Sequence, residues 1–456
     1  MTDPPAPQLP KSQDGPSSSQ DGSSDSQDRS FRSRFPNSQI VLVVLATAAI
    51  VISLVFSFEL TRAPERIILV VIDTLRRDFV SAYGARGATP HMDALAARGQ
   101  VFSHARASFH QTTMSMAALF TGRTPSIETT DPTSTLRWNS DTWCGMARFA
   151  DANGDDHCIP DSVPTLAEEL RDAGYWTIGV ASNQFLFGSS GFERGFDDWN
   201  EVGPREEARP RERPELGSLR SWTPVTSAAI QALNRRPRNR IFLYVHFMDV
   251  HDYPFRRVGY KTAVSSADQG LGVLLQSLEK AGLLENSTVI LTSDHGERLG
   301  ERHPLRGRPG HYGNPAFQEL LEIPLIIAPA VVDDPSKPLR TQDLHGLIRK
   351  IAGLRPGPSP ELAPGELYVG ERRYQTYRND RWKSTLQRET GKLVLFDLEN
   401  DPGEKTNVAE VSPHIAAAHR KRIGAIASKM TVSSDRSDRE LTERERMTLK
   451  VLGYVE

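Results

Sequence analysis

Three mostly apolar runs in this chain are each followed by acidic or histidine side chains, and this pattern restricts the possible folds most strongly. The runs are residues 67–72 before Asp73, residues 241–245 before His246, and residues 287–291 before Ser293, Asp294 and His295. An unbroken apolar run of this length is typical of a strand buried on both faces of a parallel sheet. Ligands bind beyond the carboxyl ends of such strands, so the three polar ends imply one shared site.

Helical segments separate these strands, which favours an α/β fold with a mostly parallel sheet flanked by helices. The segments cover residues 91–98, 165–173 and 263–281, and each is followed by a glycine that can end a helix. Thr165 and Glu168 also have the spacing of a capping box. Because crossover helices connect parallel strands, we expect one large α/β domain over residues 65–350.

The sequence changes character after residue 350, which predicts a smaller second unit. Four prolines crowd residues 356–364, a composition typical of a connection. Residues 366–396 then alternate apolar and polar side chains, as antiparallel strands do, and residues 412–430 have a helical pattern. We therefore expect a C-terminal antiparallel subdomain over residues 366–430, within the same catalytic unit.

The first 59 residues differ in composition from the rest. Residues 1–38 contain almost nothing apolar, so they are expected to form a disordered tail. Residues 40–58 carry no charge, and nineteen such residues are about the length that crosses a bilayer as a helix. We predict a transmembrane helix over residues 39–59; a buried core helix and a cleaved signal peptide are the alternatives.

Charges beside this span predict its orientation. Arg29, Arg32 and Arg34 precede it, whereas the charges that follow are mixed in sign. The positive-inside rule then places the N-terminus in the cytoplasm and the catalytic domain outside the cytoplasm. Cys144 and Cys158 would form a disulfide in an oxidising compartment, with two free thiols as the alternative.

The chemistry of Asp73, Asp294 and His295 favours a divalent metal. Transfer of a phosphoryl or sulfuryl group needs a cation that neutralises ester oxygens, and hard cations prefer carboxylate oxygens. An Asp after a strand can instead cap the next helix, which is the alternative for Asp73. The net charge of −2 gives no electrostatic reason to expect a nucleic-acid partner.

A nucleophile near such a metal is well placed at the start of a helix, where free amides and the helix dipole stabilise an anion. Residues 112–123 begin with hydroxyl side chains and continue as a buried helical turn. Spacing alone does not choose among Thr112, Thr113 and Ser115. An ordinary N-capped core helix is the alternative.

Several segments resemble the sulfatase family of the alkaline-phosphatase superfamily, in the same order along the chain. The segment Phe120-Thr121-Gly122-Arg123 is similar to the end of the family's nucleophile motif, with Phe in place of Leu. The other similar segments are residues 71–76 with Tyr83-Gly84, and residues 89–96, 292–297, 323–327 and 396–404. The resemblance covers about residues 65–410 and implies a sulfatase-like α/β fold.

Positions that match the family's motifs receive its roles by resemblance. Counting back from Gly122 places Thr112 on the family's nucleophile. The metal ligands that the resemblance implies are Asp73, Thr112, Asp294 and His295. His246 lies within a strand and is interpreted as a structural residue.

The resemblance also implies residues that contact the substrate. His251 would protonate the leaving oxygen or bind an ester oxygen. His311 resembles a second substrate or metal histidine, and Asp249 with these two histidines could hold a second metal. Arg76 and Lys383 are further candidates for substrate binding, with a solvated side chain as the alternative for Lys383.

Departures from the family's pattern move the predicted substrate toward phosphate. A sulfatase cysteine is oxidised to formylglycine, and Thr112 cannot undergo that conversion. The motif's proline and arginine are Met114 and Met116 here, and a frequent second aspartate is Thr74. The site therefore resembles more closely the relatives that use Thr on phosphate esters and hold one or two metals.

The sequence thus predicts a membrane-anchored enzyme that cleaves or transfers phosphate-ester groups through a covalent Thr112 intermediate. The expected cofactor is one divalent ion, or two as the alternative, chosen from Ca, Mn, Zn and Mg. The substrate is a phosphate or sulfate ester, which could belong to a glycan or a lipid headgroup. A sulfuric ester hydrolase and a non-catalytic sulfatase-like binding domain are the alternatives.

Overall fold

The computed structural model describes residues 64–85, 89–125, 159, 163–186, 191–203, 221–235, 240–357, 362–371 and 373–428. The predicted tail (1–38), the predicted membrane span (39–59) and the cysteine pair Cys144 and Cys158 lie outside these residues. Within the described part, no helix combines the length and the apolar character that crossing a bilayer requires.

Thirteen strands lie within the described residues. In chain order they are β1 (Arg66–Ile72), β2 (Gln100–Val101), β3 (Ala105–Arg106), β4 (Trp176–Ala181), β5 (Asp198–Glu201), β6 (Ile241–Phe247), β7 (Ser287–Thr292), β8 (Leu325–Ala328), β9 (Leu339–Arg340), β10 (Leu367–Gly370), β11 (Tyr374–Arg378), β12 (Trp382–Gln387) and β13 (Leu393–Asp397). The three predicted apolar runs are β1, β6 and β7, and β6 continues past the predicted end to Phe247.

Seven of these strands form one sheet, in the order β2-β8-β7-β1-β6-β4-β5. The five strands from β7 to β5 in this order run parallel, whereas β8 pairs antiparallel with β7 and β2 pairs antiparallel with β8. In the centre, Val71 of β1 is level with His246 of β6 and Thr292 of β7. The carboxyl ends of these three strands therefore meet at one edge, as predicted.

Eight helices lie within the described residues, and six of them cover the two faces of this sheet. They are α1 (Pro90–Ala96), α2 (Thr112–Thr121), α3 (Leu166–Asp172), α4 (Trp222–Asn234), α5 (Tyr260–Lys280), α6 (Gln318–Leu321), α7 (Thr341–Ile351) and α8 (Pro413–Ala427). Short 3-10 helices cover Arg77–Phe79, Ser81–Tyr83 and Gln184–Leu186. Helices α2, α3 and α7 pack on one face and α1, α4 and α5 on the other, so the strand at the centre has no solvated side.

Alternate side chains of β1 enter the two cores, as the period of a strand requires. Those on the α2 face are Ile67, Leu69 and Val71, and those on the α5 face are Ile68, Val70 and Ile72. None of the six is more than 2% exposed. Burial on both faces explains why the sequence of β1 is apolar without interruption.

The predicted helix signals are present, with one difference in mechanism. Thr165 Oγ1 accepts the N–H of Glu168 at 3.2 Å, and Glu168 Oε2 accepts the N–H of Thr165 at 2.8 Å, which confirms the capping box. Gly99, predicted as a helix stop, serves close packing instead. A β-carbon there would lie 2.1 Å from the carbonyl oxygen of Ile327, so only glycine allows this approach to β8.

The C-terminal residues form a second, antiparallel sheet in the order β10-β11-β12-β13, and α8 packs against it. A mostly parallel sheet flanked by helices, with a small antiparallel sheet after it, is the fold class that the sequence predicted. The prediction is confirmed.

Candidate metal centre and nucleophile

Asp73, the first residue after β1, presents its two carboxylate oxygens to different surroundings. Oδ2 lies 2.8 Å from Asn183 Nδ2, 3.1 Å from His246 Nε2 and 3.4 Å from Thr112 Oγ1. Oδ1 is buried and has no hydrogen-bond partner among the described residues. A buried carboxylate oxygen without a donor is costly, so Oδ1 is the atom that a cation would satisfy.

Asp294 repeats this arrangement beyond the end of β7. Its Oδ1 accepts the N–H groups of Thr74 at 3.1 Å and His295 at 2.8 Å. Its Oδ2 is buried and has no hydrogen bond within the described part of the chain. Both carboxylates therefore have one oxygen that the protein satisfies and one that it does not.

His295 has its ring orientation fixed by its own backbone. Nδ1 lies 2.8 Å from the carbonyl oxygen of Gly296, which can only accept, so Nδ1 is the donor and Nε2 is the ring atom that faces the carboxylates. One ligand atom from each of Asp73, Asp294 and His295 lies within 4.8 Å of the others, and all three residues are buried. Two carboxylates and an imidazole suit a divalent cation such as Zn or Mn.

Thr112 begins α2 and faces this group of ligands. Its Oγ1 lies 3.4 Å from Asp73 Oδ2 and 3.4 Å from His295 Nε2. The residue before the helix, Gln111, makes no side-chain capping bond, so the alternative of an ordinary N-capped helix is not what the structure contains. Ser115 was another candidate nucleophile from the sequence. Its hydroxyl donates to the carbonyl of Asp294 at 2.5 Å.

The charge state of Asp73 is set by opposing effects. Burial favours the protonated form, but the hydrogen bond with His246 and the imidazoles of His251, His246 and His295 outweigh it and hold the pKa of Asp73 well below its usual range. Asp73 is therefore ionised at neutral pH, as a metal ligand must be.

His251 and His311 lie beside His295. The ring centroid of His311 is 4.5 Å from that of His295 and 5.5 Å from that of His251. His311 Nδ1 lies 3.2 Å from Glu297 Oε2, and His251 Nδ1 lies 2.9 Å from Asp252 Oδ1. Burial, with the neighbouring His295 and His251, holds the pKa of His311 well below its ordinary value, so His311 is neutral at neutral pH.

Two residues of this region had not been singled out from the sequence. Asn183 follows β4, and its Nδ2 donates to Asp73 Oδ2 and lies 3.3 Å from Thr112 Oγ1. Glu297 is 4% exposed, and burial raises its pKa to about 7 although the charges of His251 and His295 oppose the rise. A polar residue after a further strand is the signal that could have identified Asn183.

Asp249 does not join the two histidines. Its Oδ1 accepts from Arg256 Nη1 at 2.9 Å and from Ser266 Oγ at 3.0 Å. Among the described residues, Asp249, His251 and His311 do not bring three ligand atoms within 4.8 Å of one another. Arg256 and Ser266 satisfy Oδ1 alone, and Asp249 Oδ2 is buried without a hydrogen bond among the described residues. A second metal at Asp249 and the two histidines stays a prediction.

Arg76 and Lys383 both lie in ion pairs. Arg76 contacts Asp78 at 2.8 Å and Glu301 at 2.5 Å, and Lys383 Nζ lies 2.6 Å from Glu404 Oε1. The alternative of a solvated Lys383 is wrong, since its side chain is 1% exposed. Contact of either side chain with a substrate stays a prediction.

Two solved structures share the fold. A protein from Bacteroides thetaiotaomicron assigned as a sulfatase superposes with a TM-score of 0.62 and 17% identity, over 84% of this chain and 96% of that one. The phosphonate monoester hydrolase of Agrobacterium radiobacter superposes with a TM-score of 0.56 and 17% identity, over 84% of this chain and 99% of that one. At this identity the two likenesses establish the fold alone.

Sequence comparison goes further than the fold. Human N-acetylgalactosamine-6-sulfatase is 25% identical over 280 residues, which cover 52% of this chain and 51% of that protein. The chain spans about two fifths to one half of the length of the curated relatives it matches. The profile of the family described as Sulfatase matches residues 65–330, a range that holds α2 and the three ligand candidates. Because this match covers more than half of the sequence, the chain belongs to the sulfatase family.

Proposed function

We propose that this chain is a metal-dependent enzyme that cleaves or transfers phosphate-ester groups through a covalent intermediate on Thr112. The observation that carries the proposal is the position of Thr112 Oγ1, 3.4 Å from both Asp73 and His295 at the start of α2. A hydroxyl stands where the family's sulfatases have a cysteine that becomes formylglycine. The nucleophile is then the unmodified side chain.

The family generally uses a divalent metal, and Asp73, Asp294 and His295 would hold it beside Thr112. Such a cation neutralises ester oxygens and lowers the pKa of a hydroxyl nucleophile. The chain's own residues supply the rest of the preorganisation. Asp73 is kept ionised, His295 presents Nε2, and the N-terminus of α2 places a partial positive charge beside the nucleophile.

In the proposed reaction Thr112 Oγ1, which has released its proton to solvent, attacks the phosphorus, a Thr–O–P bond forms, and the P–O bond to the leaving group breaks. His251 gives the proton that the leaving oxygen takes up. His311 is neutral at neutral pH, so we assign it to an ester oxygen by hydrogen bonding. Water or another alcohol then gives a proton back to His251 and attacks the phosphorus, and the Thr–O–P bond breaks, which releases the Thr112 alkoxide.

A second candidate is hydrolysis of a sulfate ester. Relatives such as N-acetylgalactosamine-6-sulfatase support it, and a sulfated glycan would then be the substrate. The phosphonate monoester hydrolase that shares the fold supports phosphorus as the attacked atom. Thr at position 112 favours phosphorus, since the aldehyde hydrate of a sulfatase cannot form there. A glycan or a lipid headgroup is the proposed carrier of the ester.

The test compares three model esters: an aryl sulfate, an aryl phosphate and a bis-aryl phosphate. The full-length chain, purified in detergent, is assayed with Mn, Zn or Ca. We expect turnover of a phosphate ester, loss of that turnover by at least about a thousandfold in Thr112→Ala, and phosphothreonine at position 112 in acid-quenched wild type. Thr113→Ala, which removes the adjacent hydroxyl, is the matched control and keeps turnover.

Each other outcome selects a different reading. Turnover that persists in Thr112→Ala contradicts the nucleophile. Sulfate hydrolysis without phosphate hydrolysis supports the second candidate. No turnover of any ester, with no metal bound, supports a non-catalytic binding domain in place of an enzyme.

We also propose that residues 39–59 anchor the enzyme in a membrane, with the catalytic domain outside the cytoplasm. The uncharged residues 40–58 and the arginines before them support this. The full chain is expected to sediment with membranes and to require detergent for release, whereas deletion of residues 1–62 is expected to release it. A full chain that stays in the supernatant without detergent would contradict the anchor.

A further inference from the structure

Two side chains of β6 that take no part in the reaction proposed above are linked to Asp73 by hydrogen bonds. His246 Nε2 lies 3.1 Å from Asp73 Oδ2, and Tyr244 Oη lies 2.7 Å from His246 Nδ1. All three residues have 0% exposure. They form a continuous chain of hydrogen bonds that ends on a proposed metal ligand.

The sheet itself places these residues in line. β6 is the parallel neighbour of β1, and the N–H of Asp73 donates to the carbonyl of Phe247 at 2.9 Å. Tyr244 and His246 are separated by one residue of the strand, so both side chains lie on the same face. β6 therefore contacts Asp73 through its backbone and through the ring of His246.

Tyr244 is fixed by aromatic packing on the other side. Its ring meets Phe120 edge-on with centroids 5.2 Å apart, and it stacks on Trp199 at 6.4 Å. Phe120 belongs to α2, the helix that begins at Thr112. The nucleophile helix and the support of Asp73 thus share one packed aromatic cluster.

The direction of each hydrogen bond follows from the groups involved. An ionised carboxylate only accepts, so the proton of the His246 ring lies on Nε2 and is donated to Asp73. In the neutral ring Nδ1 is then an acceptor, for which the Tyr244 hydroxyl is the donor. Burial, with the charges of Asp294 and Asp73, raises the pKa of Tyr244 well above its ordinary value, which keeps the hydroxyl protonated.

We propose that His246 is a positioning residue for Asp73, with Tyr244 fixing its tautomer, so that Oδ2 is held by the protein and Oδ1 is left to the metal. This inference rests on the proposed metal centre. It replaces the sequence interpretation of His246 as a structural residue. A histidine that served only the core would contribute to stability and leave metal affinity unchanged.

The test uses a matched pair of polar variants in the full-length chain. The amide of His246→Gln reaches the position of Nε2 and can donate to Asp73, whereas the shorter side chain of His246→Asn cannot. Mn or Zn affinity is measured by competition with a chromophoric chelator, and folding is checked by thermal unfolding. We expect His246→Asn to lose about 10- to 100-fold in metal affinity and His246→Gln to recover most of it.

Tyr244→Phe keeps the ring and removes the hydroxyl, so it is expected to weaken metal binding less than His246→Asn. If His246→Asn does not fold, Tyr244→Phe decides, and wild-type metal affinity in it overturns the inference. Wild-type affinity in a folded His246→Asn, where the wild type binds metal, overturns the inference alone. A wild type that binds no metal overturns the proposed metal centre and this inference together.

Discussion

Thr74 has a φ of 58°, a left-handed conformation that β-branched residues rarely adopt. Its N–H donates to Asp294 Oδ1 at 3.1 Å and its Oγ1 to the carbonyl of Asp73 at 2.7 Å. Its own carbonyl accepts from Tyr260 Oη at 2.5 Å. Such a conformation costs about 1–3 kcal/mol and persists where the surroundings over-determine it. This conformation directs the N–H of Thr74 toward Asp294, while the hydroxyl of Thr74 is hydrogen-bonded to the carbonyl of Asp73.

Asp249 is the residue for which we expect a pH-dependent stability. Burial raises its pKa from 3.8 to about 6, although the charge of Arg256 and the hydrogen bond from Ser266 oppose the rise. A raised carboxyl pKa contributes stability that is complete below the unfolded pKa and is lost as the pH rises through the folded one. We expect Asp249→Asn to gain stability relative to wild type as the pH rises from about 4 to 7, by at most about 3 kcal/mol.

Urea unfolding in the presence of a chelator, repeated across this pH range, measures the difference in the free energy of unfolding. The control is Glu279→Gln, which alters an exposed carboxylate on α5 and is expected to show no such trend. A difference between Asp249→Asn and wild type that stays constant with pH would argue against the assigned shift.

At the scale of elements, strands could be predicted where their own sequence is unbroken. β1, β6 and β7 meet this condition because helices cover both faces of the sheet. β4 does not, since it contains Thr177 and Gly179. A β-carbon on Gly179 would lie 2.3 Å from the ring of Trp199, so the neighbouring strand supplies the apolar surface that β4 lacks. The sequence of β4 alone does not reveal this packing, so β4 was not predicted, and Asn183, which follows it, was not identified as a site residue.

The C-terminal sheet carries a buried ion pair whose strength can be measured. Lys383 of β12 and Glu404 lie 2.6 Å apart with side chains 1% and 0% exposed. Removing one partner leaves a buried charge alone, so we expect Lys383→Met to cost about 3–5 kcal/mol. The double variant Lys383→Met/Glu404→Gln is expected to cost less than the sum of the two single variants.

A double-mutant cycle by urea unfolding tests this pair. The exposed pair of Arg381 and Glu399, at 3.0 Å, is the control and is expected to couple by at most about 1 kcal/mol. If the losses in the free energy of unfolding of the two single variants add up to that of the double variant, the ion pair between Lys383 and Glu404 contributes nothing to stability.

At the scale of the whole molecule, the sequence could indicate which residues lie close together. It could not indicate which side chains form hydrogen bonds or ion pairs with them. Asp73, Asp294 and His295 could be proposed because each follows a strand whose end is predictable. Asp249 follows such a strand as well, yet its Oδ1 pairs with Arg256. For Lys383 a solvated side chain was the alternative to substrate contact, yet Glu404 pairs with it in the interior. Side-chain pairing depends on three-dimensional packing, and no spacing along the chain encodes it.

Metal binding at the proposed centre is expected to stabilise the whole chain. A cation at one hundred times its dissociation constant adds about 2.7 kcal/mol if it does not bind the unfolded state. We expect Tm to rise by several degrees when Mn or Zn replaces a chelator. The same comparison on Asp294→Asn is expected to show little change, because one of the two free carboxylate oxygens is lost. Equal Tm values for the wild type with metal and with chelator would contradict the centre.

The hydrogen bond between Thr74 and Asp294 joins residues 220 positions apart, and this separation bears on how the chain folds. Contacts between distant segments form slowly, since a long loop must close before they are gained. The ligands therefore converge only once β7 has docked on β1. A nascent chain would then be unable to complete the proposed metal centre until residue 295 has left the ribosome, and in refolding, metal uptake would mark the last steps and not the first.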